Sequence, residues 1–232
     1  MSGQLPLEWR WPAQQRFETF VAGENEVAVA ALRSAAAGAG GAWIFLGGAA
    51  AAGKTHLLLA TCADAAARGR SAQYFSLAKL SGDRAMTIRG FGGSDLIALD
   101  DIDAVAGDAA AEHALFDLYN RARAEGSALL FAAGTSPAQA GIHLPDLVSR
   151  LSSCLQFLLK PLSDAARREA VRQRARNRGL ELDDAVLEFL LARAQRDLGS
   201  LTALIERIDR ASLAAKRRIT VQFVRGLLDG AA

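Results

Sequence analysis

The stretch GGAAAAGKTH, residues 47–56, constrains the fold of this chain more than any other. It contains the pattern Gly-x4-Gly-Lys-Thr, from Gly48 to Thr55, between an apolar run at 42–46 and a helical pattern at 55–67. A strand, such a loop and a helix together bind a phosphate chain, because backbone N–H groups and the positive end of the helix dipole face the phosphates. The sequence therefore predicts a nucleotide-binding loop. An ordinary glycine turn is the alternative, but it does not explain the adjoining lysine and threonine.

The residue types in this loop have predicted roles. Lys54 is expected to reach the terminal phosphates, and the Thr55 hydroxyl is expected to bind Mg²⁺. Ala51 stands where many such loops have glycine, and alanine is tolerated there if its φ angle stays negative. We expect nucleotide binding to survive with altered affinity. The predicted nucleotide-binding residues of the loop are Gly48, Ala51, Ala52, Gly53, Lys54, Thr55 and His56.

An acidic stretch follows an apolar run further along the chain. In LIALDDID, residues 96–103, the run ends in Asp100 and Asp101. Asp100 is predicted to hold Mg²⁺ together with Thr55, usually through water, and Asp101 is predicted to orient or activate a water molecule. Asp103 is interpreted as a solvated loop residue or a helix cap. The alternative for the whole stretch is an acidic turn after a strand.

Alternating apolar runs and helical patterns predict the rest of the organisation. Strands are predicted at 42–46, 72–77, 95–101, 128–134 and 154–160, helices at 26–36, 55–67 and 109–124, and a loop at 81–93. This alternation is typical of an α/β protein, with a parallel sheet flanked by helices on both faces. After Pro161 only helical patterns remain, at 164–177, 183–194, 200–217 and 220–228. We predict an extended tail at 1–16, an α/β nucleotide-binding domain at 17–160 and a small all-helical domain at 161–232.

Composition argues against several classes of protein. The net charge of +2 in 232 residues permits contact with an acidic partner but does not demand nucleic-acid binding. Cys62 and Cys154 lie in apolar patterns, which favours buried thiols over a disulfide or a metal site. The three histidines have no ligand spacing. There is no signal-peptide pattern and no apolar run of about 18 residues, so we predict a cytoplasmic protein without a membrane segment.

Dispersed blocks of the sequence resemble one family. The loop from Gly48 to Thr55, called the phosphate loop below, resembles that of the AAA+ ATPases, as do LDDID at 99–103 and the helical C-terminal part. Two further blocks are similar to the bacterial replication initiator DnaA: FETFVAGEN at 17–25 and GKTHLL at 53–58. Four further blocks resemble the Hda family of DnaA-related regulatory inactivators: FDLYNR at 116–121, LPDLVSRL at 144–151, PLSD at 161–164 and DRASLAAKRRIT at 209–220. We expect neither a C-terminal helix-turn-helix nor a large N-terminal domain, and this expectation favours Hda over DnaA itself. The resemblance implies an AAA+ sheet domain followed by a helical lid.

The resemblance also implies how the site works. Arg150 matches the family's arginine finger, which stabilises charge on the γ-phosphate of a neighbouring subunit; the alternative is a surface arginine paired with Asp146. Thr135 takes the sensor position after the fourth strand, where Asn or Asp is usual. Gly199 falls where the lid's sensor arginine is expected, and Arg196 lies three residues earlier. Missing γ-phosphate contacts reduce stabilisation of the transition state, so we expect a poorly hydrolysing subunit that holds ADP, or ATP, with Mg²⁺.

The first residues of the chain are similar to peptides that dock on the sliding clamp of DNA polymerase III. The predicted clamp-binding residues, in QLPLEW at 4–9, are Gln4, Leu5, Leu7 and Trp9. The alternative is a tail that packs on its own domain.

The implied function is a clamp-associated negative regulator of replication initiation that promotes hydrolysis of DnaA-bound ATP. Its expected partners are DnaA and the clamp, with DNA contacted indirectly through the clamp and a homodimer allowed. Two alternatives stay open: an autonomous AAA+ ATPase, and a non-catalytic adaptor that binds DnaA.

Overall fold

The computed structural model of the chain describes residues 11–12, 15–38, 43–193, 198–215 and 218–229. The predicted clamp-binding residues Gln4, Leu5, Leu7 and Trp9 lie outside these ranges, and so does Arg196. The chain divides into two compact units on either side of the bond between Lys160 and Pro161. No helix within the described ranges is long and apolar enough to cross a membrane.

A five-stranded parallel sheet lies at the centre of the first unit, in the order β2-β3-β4-β1-β5. Its strands are β1 (Ile44–Gly47), β2 (Ala72–Ser76), β3 (Leu96–Asp100), β4 (Ala128–Ala133) and β5 (Leu155–Leu158). The inner strands β3, β4 and β1 are buried throughout. This is expected for parallel strands covered on both faces, which read as continuous apolar runs. The α/β class predicted from the sequence is confirmed.

Helices cover both faces of this sheet. Within the described part of the first unit they are α1 (Glu26–Ala36), α2 (Lys54–Ala67), α3 (Arg84–Arg89), α4 (Ala109–Glu125) and α5 (Pro145–Ser152). Alternate side chains of β1 enter two separate cores, because successive residues of a strand point to opposite faces. Phe45 packs with side chains of α3, α4 and α5, whereas Ile44 and Leu46 pack with those of α1 and α2. Because helices cover both faces, the loops at the ends of the strands are the places where a ligand could reach the sheet.

The prediction of a loop at 81–93 is wrong in its middle, which is helix α3. The Asp83 carboxylate accepts a hydrogen bond of 2.9 Å from the Met86 backbone N–H, the usual contact of an N-cap residue. Ala85 and Ile88 are buried in the core. The helix has only six residues and glycines on both sides, so its helical period does not stand out in the sequence.

The second unit is a small helical domain. Its helices in the described ranges are α6 (Asp164–Arg176), α7 (Asp184–Arg193), α8 (Leu198–Ala215) and α9 (Val221–Leu228). The side chains of Ser163, Asp183 and Thr220 each accept a hydrogen bond from the backbone N–H three residues further on, as helix caps do. The four helices share one apolar core, which includes Val171, Leu187, Ile205 and Val224. The predicted helical lid is confirmed.

Candidate nucleotide-binding site

The loop between β1 and α2 lies at the carboxyl edge of the sheet, where open parallel sheets bind their ligands. Three of its residues have positive φ angles: Gly48 at 155°, Ala51 at 64° and Gly53 at 97°. The φ of Gly53 favours glycine, and a β-carbon there would lie 2.6 Å from Cε2 of Phe20, so the Phe20 ring would have to move. Turns of this kind are a common way to present backbone N–H groups to an anion. In this loop the Ala52 N–H donates to the Ala49 carbonyl at 3.2 Å.

Ala51 does not meet the condition expected from the sequence. Alanine is unstrained at this position only with a negative φ, and the structure shows a φ of 64°. A residue with a β-carbon in the left-handed region costs about 1–2 kcal/mol relative to the right-handed region. The condition under which alanine is unstrained here is therefore not met. The loop keeps the turn that glycine would favour, although the residue is alanine.

The Lys54 ammonium folds back onto the loop. Its Nζ donates hydrogen bonds to the backbone carbonyls of Gly48 at 2.6 Å and Ala49 at 3.0 Å. Charged hydrogen bonds of this length are strong, and these two connect the first residue of α2 with the start of the loop. The positive charge at this loop thus comes from Lys54 and from the amino end of α2.

Asp100 and Thr55 are in direct contact at the end of β3. Thr55 Oγ1 donates a hydrogen bond to Asp100 Oδ2 at 2.5 Å, and the Tyr74 hydroxyl donates to the same oxygen at 2.9 Å. The backbone N–H of Asp101 donates to Asp100 Oδ1 at 3.0 Å. Asp100 is 1% exposed, and burial raises the pKa of its carboxyl, an effect that the hydroxyl donors oppose. The structure therefore brings together the two residues predicted to bind Mg²⁺.

Tyr74 is a member of this cluster that the sequence patterns do not single out. It lies in β2, the outermost strand of the sheet on one side. The parallel register pairs it with Ala98, two residues before Asp100. Burial, followed by the neighbouring Asp100 charge, raises the pKa of the Tyr74 phenol, so the hydroxyl remains a donor. The signal that could have found it is a tyrosine in the strand before the acidic strand.

Asp101 has a different partner. Its φ of 58° is in the left-handed region, which aspartate enters more readily than most residues. Its Oδ2 accepts a hydrogen bond of 2.7 Å from Ser76 Oγ, at the end of β2. The carboxylate predicted to orient or activate water is therefore engaged with a hydroxyl of this chain.

The loop after β4 lies against the start of the phosphate loop. A β-carbon at Gly47 would come within 3.0 Å of the Thr135 carbonyl oxygen. The Thr135 side chain is exposed, and its hydroxyl lies 3.4 Å from the Ser136 carbonyl. Asp103 accepts a hydrogen bond of 3.1 Å from the Gly134 backbone N–H. It connects the loop after β3 with the loop after β4, a link beyond the solvated or capping role expected from the sequence.

A short segment before α1 covers one side of the loop. His56 Nε2 is 2.9 Å from the Arg16 carbonyl oxygen, and the ring centres of His56 and Phe20 are 5.2 Å apart. Ala52 is buried in the core shared with α1 and α2. In this structure His56 and Ala52 thus have packing contacts with the chain itself. Phe20, which also contacts Gly53, is a neighbour of the loop that sequence patterns do not reveal.

The protein's own side chains supply few metal ligands. Among the described residues there is no cluster of three or more His, Cys, Asp or Glu side chains that could hold a metal ion. Magnesium in nucleotide sites takes most of its ligands from phosphate oxygens and water, and one or two from the protein. The Thr55 hydroxyl and the Asp100 carboxylate fit a Mg²⁺ of that kind. Cys62 and Cys154 are buried free thiols, as predicted.

Arg150 lies near the opposite edge of the sheet. It is in the last turn of α5, just before β5, and β5 starts in register with the first residue of β1. The phosphate loop follows the last residue of β1, about 10 Å further along at the ~3.3 Å rise per residue of a strand. Asp146 and Arg150 both lie within the described ranges, and their side chains form no ion pair. Instead the guanidinium carbon of Arg150 lies 5.7 Å from the centre of the Tyr119 ring.

Family comparisons match both units. The family described as the bacterial DnaA ATPase domain matches residues 12–160, and the family described as Hda, lid domain, matches residues 164–228. The chain belongs to the Hda/DnaA family of AAA+ proteins. In this Hda/DnaA-type protein, the predicted sensor position Gly199 lies in α8 of the Hda lid and has no side chain.

Solved structures agree with this fold. Domain III of the Thermotoga maritima replication initiation protein DnaA is 21% identical, with a TM-score of 0.77 over 95% of this chain and 98% of that one. AMPPCP-bound DnaA from Aquifex aeolicus is 22% identical, with a TM-score of 0.69 over 85% of this chain and 66% of that one. The Thermotoga maritima RuvB Holliday junction branch migration motor is 18% identical, with a TM-score of 0.67 over 95% and 72%. At these identities the likeness establishes the AAA+ fold of the Hda/DnaA-type chain.

Proposed function

We propose that this Hda/DnaA-type protein is a negative regulator of replication initiation that promotes hydrolysis of DnaA-bound ATP by supplying Arg150 in trans. A DnaA-related ATPase domain followed by an Hda lid supports a regulator of this kind. The single observation that carries the proposal is that Arg150 lies near the amino edge of the sheet, whereas the phosphate loop lies at the carboxyl edge. An arginine in that position is suited to the phosphates of a neighbouring molecule rather than to those of its own chain.

The chemistry proposed for Arg150 is electrostatic. A guanidinium stays charged at every physiological pH, and its N–H groups match phosphate oxygens. Next to a neighbour's γ-phosphate it stabilises the charge that develops in the transition state, an effect of ~10³–10⁵ in rate for arginine fingers. Within the described residues no carboxylate or carbonyl accepts a hydrogen bond from this guanidinium, so its N–H groups remain available for a phosphate.

We further propose that the chain itself binds ADP, or ATP, together with Mg²⁺. A DnaA of the same fold is solved with AMPPCP bound. Lys54 would exchange its two loop carbonyls for phosphate oxygens, and the backbone N–H groups from Gly48 to Thr55 would bind the remaining oxygens. Thr55 and Asp100 would hold Mg²⁺, which neutralises phosphate charge. Burial raises the pKa of Asp100, and the hydrogen bonds from the nearby hydroxyls oppose that rise.

Hydrolysis by the isolated chain is proposed to be slow. The Asp101 carboxylate already accepts a hydrogen bond from Ser76. Thr135 offers a short exposed hydroxyl at the sensor position, and Gly199 has no side chain. Only contacts that are stronger in the transition state than in the ground state accelerate a reaction. With these contacts weakened or missing, the chain is expected to keep its nucleotide bound rather than to hydrolyse it.

The clamp-binding proposal rests on the Gln-x-x-Leu-x-aromatic spacing alone, since Gln4, Leu5, Leu7 and Trp9 lie outside the described residues. Apolar side chains at this spacing would fill pockets on the sliding clamp of DNA polymerase III. The protein would then contact DNA through the clamp and act in the cytoplasm beside DnaA. A homodimer is a further assembly that this proposal allows.

The deciding experiment measures ATP turnover in three mixtures: the isolated chain, the chain with DnaA, and the chain with DnaA and clamp on DNA. The proposal expects turnover of DnaA-bound ATP to rise only in the mixtures, and most with the clamp. Brisk turnover by the isolated chain would favour the autonomous ATPase, and no turnover anywhere would favour the adaptor.

The Arg150→Ala variant tests the finger itself. It is expected to lower the stimulated rate by about 10³-fold while clamp binding and nucleotide binding stay unchanged. Arg68→Ala is a matched control, because Arg68 is an exposed arginine paired with Asp64 on α2, and it is expected to behave as wild type. Full stimulation by Arg150→Ala would overturn the proposal.

A further inference from the structure

One face of α4 holds the amino end of α5. The Glu112 carboxylate accepts hydrogen bonds from the backbone N–H groups of Gly107 at 2.8 Å, His143 at 3.0 Å and Leu144 at 2.7 Å. Leu144 is the N-cap residue of α5, and its own side chain makes no capping bond. Glu112 therefore supplies from α4 an acceptor for the backbone N–H of the N-cap residue and of the residue before it, next to the positive end of the helix. Glu112 is 1% exposed.

The same face of α4 reaches the carboxyl end of α5 through Tyr119. Tyr119 is seven residues after Glu112, two helical turns further along that face. Its ring centre lies 5.7 Å from the Arg150 guanidinium carbon, within the ~6 Å range of a cation–π contact. Ser153 Oγ donates a hydrogen bond of 2.7 Å to the Arg150 carbonyl and lies 3.5 Å from the Tyr119 hydroxyl.

The Tyr119 ring itself packs against Trp43. The two rings meet edge to face at 82°, with their centres 4.2 Å apart, and the Trp43 indole N–H donates a hydrogen bond of 3.1 Å to the Ser127 carbonyl. Tyr119 is 4% exposed, so its ring is fixed by the core. A cavity of about 510 Å³ opens beside these rings; its lining includes Trp43, Tyr119, Arg123, Ser153 and Leu155. The ring against which the Arg150 guanidinium lies is therefore itself held in place by the core.

We propose that Glu112 and Tyr119 are positioning residues for Arg150: Glu112 fixes the amino end of α5, and Tyr119 supports the guanidinium at its carboxyl end. This inference rests on the proposed function, because it concerns how the arginine is held ready for a neighbour's phosphate. An arginine side chain has many rotamers, and an electrostatic group accelerates a reaction most when it is already in place as charge develops. Loss of either support should therefore lower the maximal stimulated rate without weakening the encounter with DnaA.

The test uses the full chain with DnaA and clamp on DNA, and measures the maximal rate separately from the half-saturating concentration. Tyr119→Leu removes the ring and is expected to lower the maximal rate about tenfold, with the half-saturating concentration within twofold of wild type. Tyr119→Phe keeps the ring and is expected to retain the wild-type rate. Phe91→Leu is the matched control, since Phe91 is a buried aromatic of the same core that stacks on Phe75, away from α5.

Phe91→Leu should lose a similar amount of thermal stability and keep the full stimulated rate. If Tyr119→Leu and Phe91→Leu lower the rate equally, or if Tyr119→Leu keeps the full rate, Tyr119 is only a packing residue and the inference fails. The Tyr119→Leu/Arg150→Ala double variant is expected to equal Arg150→Ala alone, because Tyr119 acts through Arg150. A further drop in the double variant would also overturn the inference.

Glu112→Gln gives a second route that does not change side-chain volume, and it decides the matter if Tyr119→Leu does not fold. Its amide N–H groups would face backbone N–H groups, so the start of α5 should shift and the maximal rate should fall severalfold at an unchanged half-saturating concentration. A wild-type rate for Glu112→Gln would contradict the role of Glu112. The Arg150→Ala variant distinguishes failure of this inference from failure of the proposed function. If Arg150→Ala retains stimulation, the proposed function fails. If Arg150→Ala loses stimulation but changes at Glu112 and Tyr119 have no effect, only this inference fails.

Discussion

The two edges of the central sheet differ in what they can do with a phosphate. The carboxyl edge has the loop between β1 and α2, the Lys54 ammonium and the hydrogen-bonded pair of Thr55 and Asp100. The amino edge has the Arg150 guanidinium over the Tyr119 ring. Because about 10 Å of β1 separates the edges, at ~3.3 Å per residue, the two groups of residues do not meet at one phosphate of the same chain.

Under the proposed function, this separation would make nucleotide binding and the supply of an arginine independent of each other. In an AAA+ assembly the amino edge of one subunit would complete the site at the carboxyl edge of another. Substitutions at one edge are therefore expected to leave the property of the other edge unchanged.

The largest effect is expected for Lys54→Ala at the carboxyl edge. Loss of a charged hydrogen bond to phosphate costs up to about 3 kcal/mol, so the affinity for ADP should fall about 100-fold. Titration with a fluorescent ADP analogue measures this. Lys79→Ala, at an exposed lysine in the short helical turn after β2, is the control and should bind ADP as wild type. Weakened ADP binding by Arg150→Ala would break the comparison, because it would couple the two edges.

An intermediate effect is expected for Asp100→Asn. Replacing the carboxylate by a neutral amide removes a Mg²⁺ ligand, and the gain in nucleotide affinity on adding Mg²⁺ should fall about tenfold. Titrations with and without Mg²⁺ measure that gain. Asp117→Asn, at an exposed aspartate of α4, should keep the wild-type gain. An unchanged gain in Asp100→Asn would remove Asp100 from the predicted metal site.

The same variant tests the pH dependence of the carboxyl edge. Burial raises the pKa of Asp100 above its ordinary value of 3.8, so the folded state holds this proton more tightly than the unfolded state. The free energy of unfolding is therefore reduced as the pH rises from about 3.8 through the folded-state pKa. Asp100→Asn removes this loss, and its melting temperature relative to wild type should be higher at pH 7 than at pH 4. An equal difference at both pH values in calorimetry would contradict the burial effect.

The smallest effect is expected for Ala51→Gly. Relief of the left-handed strain, about 1–2 kcal/mol, is partly offset by the backbone entropy of glycine, about 0.5–1 kcal/mol. We expect a gain in unfolding free energy of up to about 1 kcal/mol and a change in ADP affinity of less than about threefold. Ala50→Gly, in the same loop without a positive φ, should instead lose stability in denaturant titrations. A stabilised Ala50→Gly would show that loop strain is not located at Ala51.

The two edges also differ in how far the sequence predicts them. Most of the carboxyl-edge residues lie within the eight residues from Gly48 to Thr55, next to a recognisable strand and helix, so their juxtaposition follows from local order. At the amino edge, Arg150 could be named only through a family resemblance. Its supports, Glu112 and Tyr119, come from another helix, and no local spacing connects them with α5.

Local patterns in the amino-acid sequence account for the phosphate loop, the five strands and the helical lid, because hydrophobic period and turn residues act over a few positions. Only the tertiary structure reveals α3, the positive φ of Ala51, the bonds from Tyr74 to Asp100 and from Ser76 to Asp101, and the end of the strands at which Arg150 lies. These features depend on strand order and helix packing, which bring together residues far apart in the chain. Such contacts leave no period in the sequence, and so the structure had to decide them.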